Sequence, residues 1–162
     1  MARPFFVYGT LMRGFRNQTK CLPAEVTTGV VNVGCFAPER GVRMTHFPQG
    51  YPGMYYCEEK EVCSSVVGEI VYVKEDFVDS TQEKLDFLEE YYGPNDSRNM
   101  YRRETVSVLN EATGVIVSCD TYFCLLDPSG GVDVPPKDGK ISWRKYMESS
   151  GLEGAGEDWA QK

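Results

Sequence analysis

Phe5-Phe6-Val7-Tyr8-Gly9-Thr10-Leu11-Met12-Arg13-Gly14 is the stretch from which the rest of the chain can be read. Phe5-Phe6-Val7 has the makings of a short strand, and Tyr8-Gly9-Thr10-Leu11 breaks it into a loop. Gly9 lets the chain turn, or approach a ligand, without a Cβ in the way, and Thr10 adds a hydroxyl. Successive unpaired N–H groups in such a turn form a concave donor site for a carboxylate or an oxyanion. A base that such a site could serve stands far along the chain, at Glu89.

Composition bounds the setting. With 162 residues, 41% apolar and 25% charged, the chain is expected to form one domain over 1–148, with a flexible acidic tail over 149–162. A net charge of −7 argues against nucleic acid or an anionic membrane as partner. Met1-Ala2-Arg3-Pro4 runs straight into a short apolar segment with no signal pattern, so a cytoplasmic protein is expected. Six cysteines, at 21, 35, 57, 63, 119 and 124, show no C-x-x-C spacing and read as reduced thiols. Neither zinc nor phosphate-loop spacing is present, so no metal and no cofactor is implied. Asn17-Gln18-Thr19 and Asn95-Asp96-Ser97 match the glycosylation pattern but carry little weight without secretion.

Strands are expected at Val30 to Cys35, Val66 to Val73, Thr105 to Leu109, Val115 to Val117 and Tyr122 to Leu125. Gly68, inside the second of these, suggests a bulge or a close approach. Prolines and glycines between Phe36 and Pro52 suggest an irregular connection, with His46 in a packing or surface role. The best helix starts at Ser80 with a capping box, Ser80-Thr81-Gln82-Glu83, and runs to about Tyr92 before Gly93-Pro94. On that helix Leu85, Leu88 and Tyr92 form an apolar stripe, and Glu89 lies about 70° from its centre. Glu89 is thus the acid nearest the core, where lost hydration pushes a carboxyl toward the range useful for proton transfer. A second short helix is expected from Ile141 to Met147.

Four blocks in order, Phe6 to Gly14, Val67-Gly68-Glu69-Ile70-Val71-Tyr72, Leu85-Asp86-Phe87-Leu88-Glu89 and Tyr101-Arg102-Arg103-Glu104-Thr105-Val106, resemble the γ-glutamyl cyclotransferase-like family, which includes γ-glutamylamine cyclotransferases and AIG2-like proteins. The resemblance implies an α+β fold: a small mixed β-barrel with flanking helices and a cavity where the Tyr8 to Leu11 loop meets Glu89. It implies Glu89 as the catalytic acid/base, Tyr8, Gly9, Thr10 and Leu11 as substrate-binding residues, Tyr122 as an aromatic lining the cavity, and Arg103 as structural. Glu90 stands where the family usually has glycine, and Lys140-Ile141-Ser142-Trp143-Arg144 follows its C-terminal tryptophan block loosely.

The implied reaction needs few protein groups, because nucleophile and electrophile share one small-molecule γ-glutamyl substrate. Its α-amine attacks its own γ-carbonyl, giving 5-oxoproline and a free amine. The alternative is a binding module on the same fold that recognises a small acid or a protein without turnover; a base such as Glu89 would hinder pure carboxylate binding. A Ser-His-Asp hydrolase would have to use His46, and no nucleophile elbow accompanies it.

Overall fold

The computed structural model describes residues 3–58 and 64–149. The expected acidic tail, apart from Ser149, and Cys63 lie outside the described residues. In chain order the elements are β1 (Phe5–Val7), α1 (Arg16–Cys21), β2 (Thr27–Phe36), β3 (Val42–His46), β4 (Pro52–Tyr56), β5 (Ser65–Val73), α2 (Val78–Leu88), β6 (Tyr101–Asn110), β7 (Val115–Cys124), β8 (Val132–Asp133), β9 (Lys140–Ile141) and α3 (Trp143–Ser149).

Five strands close on themselves in the order β1-β7-β6-β2-β5 and back to β1, and β9 extends the far edge beside β5. β1 runs parallel to β7 and antiparallel to β5, so the barrel is mixed. The expected α+β barrel with flanking helices is therefore the fold observed. β4, β3 and β8 form a separate three-stranded sheet. Phe6, Phe36, Val66, Ile70, Val108 and Phe123 are fully or nearly fully buried in the core.

Closure runs through a strand of only three residues, and Gly68 permits it. A Cβ on Gly68 would lie 2.3 Å from the Val7 carbonyl oxygen and 2.9 Å from the Phe6 ring. The close approach anticipated at that glycine is thus the approach of β1.

Four local readings need correction, and one is that the second short helix starts at Trp143, not Ile141, because Ile141 pairs with Val66 in β9. The segment between Phe36 and Pro52 contains β3, because its glycines sit in turns that bracket the strand: Gly41 N–H donates to the Pro38 carbonyl and Gly50 N–H to that of Phe47. The separate strands at Val115 and Tyr122 are one, since β7 pairs with β6 without a break from Val115 to Cys124. Helix α2 starts at Val78, not Ser80, because a 3-10 turn over Glu75–Phe77 leads directly into it. Ser80 consequently forms no capping box; its hydroxyl donates to the Phe77 carbonyl.

Replacing Gly68 with alanine is expected to cost about 1–3 kcal/mol or more, because a backbone carbonyl cannot yield space. Gly29→Ala, where nothing lies within 4 Å of the added carbon, should be close to neutral. Denaturant midpoints of the two variants compare the effects directly.

Candidate active site

The C-terminus of α2 decides where Glu89 goes. Tyr91 N–H donates to the Asp86 carbonyl and Glu90 N–H to that of Phe87, the paired bonds of a Schellman stop. Glu90 occupies its left-handed position, with φ of 52°. The helix therefore ends at Leu88, earlier than the expected Tyr92, and Glu89 is the residue that caps it. Leu85 is fully buried as expected, Leu88 is half-buried, and Tyr92, no longer helical, is largely exposed. Glu89 itself is only 8% exposed, deeper than the edge of an apolar stripe would place it.

Facing it, Met12 N–H donates to the Gly9 carbonyl at 3.1 Å, making Gly9 to Met12 a β-turn. The N–H groups of its two central residues, Thr10 and Leu11, take no part in closing such a turn. Gly9 is required by its neighbour: a Cβ there would lie 2.5 Å from the Pro52 ring. Thr10 Oγ1 accepts from the amide of the buried Asn17 at 3.0 Å, which leaves the hydroxyl proton for another acceptor. That contact also keeps Asn17, 1% exposed, out of reach of any glycosylating enzyme.

A cleft joins these parts. It is lined by Tyr8, Gly9, Thr10, Leu11, Glu89 and Tyr122, all six of the residues singled out in the sequence, and also by Tyr51, Pro52, Leu85, Tyr101 and the β1 residues. Its volume is about 440 Å³ including the open mouth. Two wider depressions elsewhere share Pro135 and Pro136 and include none of these six residues. Among the described residues, no three His, Cys, Asp or Glu side chains converge as a metal site, and no helix is long and apolar enough to cross a membrane.

Three phenols in the cleft have their protons committed elsewhere. Tyr8 donates to the Tyr122 carbonyl at 2.7 Å, Tyr101 to the Pro52 carbonyl at 2.7 Å, and Tyr122 to Asp86 Oδ1 at 2.6 Å. Asp86 is in turn held by Arg103, whose Nη1 lies 2.6 and 2.5 Å from its two oxygens. Burial, and after it the charge of Glu89, holds the Tyr8 and Tyr101 hydroxyls well above the ordinary phenol range. Burial and the bond to Asp86 do the same for Tyr122. Toward a ligand these oxygens can therefore only accept.

Tyr51, Pro52 and Tyr101 carried no signal read in the sequence. Tyr101 opens the Tyr-Arg-Arg block, and Tyr51 directly precedes β4, which begins at Pro52, but only pairing and packing bring them to the cleft. His46 lies outside it, its Nδ1 2.8 Å from the Tyr146 hydroxyl and its ring edge-on to Trp143, so it packs as expected.

The profile of the family described as "Gamma-glutamyl cyclotransferase, AIG2-like" matches residues 5–145. The chain belongs to this family. It is 33% identical over 109 residues to the γ-L-glutamyl-butirosin B γ-glutamyl cyclotransferase of Niallia circulans, a match covering 67% of this chain and 59% of that protein's length. Among solved structures, an AIG2-like protein from Mus musculus is 23% identical with a TM-score of 0.53, covering 86% of this chain and 94% of that one. YkqA from Bacillus subtilis is 19% identical with a TM-score of 0.61, covering 94% of this chain and 44% of that one. These two likenesses speak for the fold.

Two outcomes are expected. Glu90→Gly should stabilise the protein by about 1 kcal/mol, since glycine adopts the left-handed conformation without the Cβ clash, as a shift in denaturant midpoint would register. Raised native values for Tyr8 and Tyr101 mean that the unfolded chain, with phenols near 10, loses protons first. The stability they contribute is complete below pH 10 and declines as pH rises above it. Melting curves from pH 8 to 11 should show that decline, and Tyr101→Phe should make it shallower.

Proposed function

We propose that the protein is a γ-glutamyl cyclotransferase that releases 5-oxoproline and a free amine from a γ-glutamyl amine or amide, with Glu89 as acid and base. The observation that carries this reading is the polarity of the cleft. Side-chain oxygens that only accept, those of Glu89, Tyr8, Tyr101 and Tyr122, stand on its walls, and donors come from the Thr10–Leu11 turn and the Thr10 hydroxyl. That pattern complements an α-amino acid head: the ammonium among the acceptors, a carboxylate or developing oxyanion at the turn. Family membership and the reaction named for the Niallia circulans relative point the same way.

In the proposed reaction Glu89 takes a proton from the α-ammonium, and the freed nitrogen attacks the γ-carbonyl carbon of the same molecule. A five-membered ring closes through a tetrahedral intermediate whose oxyanion is stabilised by hydrogen-bond donors. Glu89 then returns that proton to the departing nitrogen, the C–N bond breaks, and the second proton shed by the ring nitrogen passes through Glu89 to the departing amine, which leaves as an ammonium, so no water is consumed. Holding the substrate folded, with amine and carbonyl in contact, supplies a large part of the acceleration. In this pose the glutamyl chain lies in the cleft and the departing amine points to the mouth. There Glu90, whose charge helps hold the Tyr51 phenol above its ordinary range behind the larger effects of burial and Cys124, adds a second acid. A leaving amine with further positive charge fits that environment.

Incubation with a panel of γ-glutamyl compounds and detection of 5-oxoproline by mass spectrometry tests the reading. Glu89→Gln, which keeps the volume but cannot carry the proton, is expected to fold and to lose at least about a hundredfold in kcat. Near wild-type turnover in that variant would remove Glu89 from the mechanism, and folded protein that releases no 5-oxoproline from any member of the panel would favour the binding-module alternative. A γ-glutamyl diamine should react faster than a γ-glutamyl amino acid at low salt, with the difference shrinking once the Debye length falls to about 10 Å or less.

A further inference from the structure

Arg13 follows the Gly9–Met12 turn directly, and its backbone is held from both sides. Its N–H donates to Glu69 Oε1 at 2.9 Å, and its carbonyl accepts from Arg144 Nη2 at 2.5 Å. The same guanidinium nitrogen lies 3.3 Å from Glu69 Oε2, and Arg13 Nε lies 3.9 Å from that oxygen. Glu69 is 5% exposed and sits on β5 opposite Val7, the last residue of β1. Arg144 comes from α3 and lies over the Phe15 ring, 5.1 Å from its centroid. Two residues 75 positions apart therefore grip the chain at the exit of the turn.

The arrangement also settles a conflict of charge. A buried carboxylate this near a turn that receives a carboxylate would repel it, unless a cation stood beside the carboxylate. Arg144 is the nearer such cation, Arg13 Nε standing farther off at 3.9 Å, and the same Nη2 of Arg144 reaches the Arg13 carbonyl as well.

We propose that Glu69 and Arg144 are positioning residues of the reaction. Together they fix the exit of the Gly9–Met12 turn so that the Thr10 and Leu11 N–H groups stay presented to the substrate, and Arg144 cancels the Glu69 charge so that the turn keeps its affinity for a carboxylate. The inference rests on the reading above that this turn seats an anionic group of the substrate.

The test uses 5-oxoproline as probe, titrated into ¹⁵N-labelled full-length protein. In the wild type it is expected to shift the amide resonances of Gly9, Thr10 and Leu11. Arg144→Ala should weaken its binding about tenfold with little change in melting temperature. Free guanidinium should restore much of the loss, because the Arg144 side chain is 40% exposed and its place can be refilled. Adding Glu69→Gln to Arg144→Ala should improve binding over Arg144→Ala alone, since it removes a carboxylate that the more distant Arg13 guanidinium, its Nε 3.9 Å away, offsets less well. With a turned-over substrate the Arg144→Ala effect should fall on KM more than on kcat. Unchanged affinity in Arg144→Ala, or a double variant weaker than the single, would overturn the proposal. So would the absence of any shift at Gly9 to Leu11 in the wild type. Probe binding with the expected variant pattern but no turnover of any γ-glutamyl compound would overturn the reaction and uphold the clamp. Should Arg144→Ala fail to fold, Arg144→Gln, which keeps a donor and loses the charge, is expected to bind a few-fold more weakly, and unchanged affinity there overturns the proposal equally.

Discussion

The contact between the Val7 carbonyl and the bare Cα of Gly68 is the constraint on which the rest of the molecule depends. β1 has only three residues, yet it must pair with β7 on one side and β5 on the other for the barrel to close. So short a strand makes few ladder hydrogen bonds, and its place is secured by burial of Phe5, Phe6 and Val7. Once β1 is pinned, the chain that leaves it at Tyr8 has nowhere to go but across the barrel's end, where Pro52 and the end of α2 are waiting. The location of the Gly9–Met12 turn is thus a consequence of barrel closure.

The opposite wall follows from a different economy. α2 must stop abruptly so that the chain can return through Met100, whose N–H donates to the Glu90 carbonyl, into β6. A glycine would make that stop without strain, and this chain uses Glu90 in its place. The stop turns Glu89 inward among tyrosines instead of leaving it on a helix face. Behind the wall, Arg103 and Asp86 tie β6 to α2 and capture the Tyr122 proton from β7. Arg103, which the resemblance marks as structural, thereby helps govern through Asp86 what a cleft oxygen can offer a ligand.

Donor and acceptor character in the cleft is consequently set by contacts outside it. The phenols of Tyr8, Tyr101 and Tyr122 are committed to a carbonyl or a carboxylate, and the Thr10 hydroxyl accepts from Asn17, which leaves its proton for another acceptor. This separation of donors from acceptors, together with Glu89 as acid and base, is what the proposed cyclisation of an amino acid head requires of its protein.

Sequence alone determined the order of the chemistry: a strand breaking into Tyr8-Gly9-Thr10-Leu11, a helix with an acid near its apolar stripe, strands around both, and a resemblance carried by four blocks. These are local properties, readable because strand period, helix period and turn chemistry act over a few residues. The ends of α2 and the strand hidden between Phe36 and Pro52 were not readable, because tertiary pairing decides them: a 3-10 turn that merges with a helix, and glycines that can bracket a strand as easily as they can interrupt one. Tyr51, Pro52 and Tyr101 reach the cleft only through pairing between strands far apart in the chain. The Glu69–Arg144 grip on Arg13 likewise exists only once β5 and α3 are packed against the turn, since charge complementarity between residues 75 positions apart has no signature in one dimension.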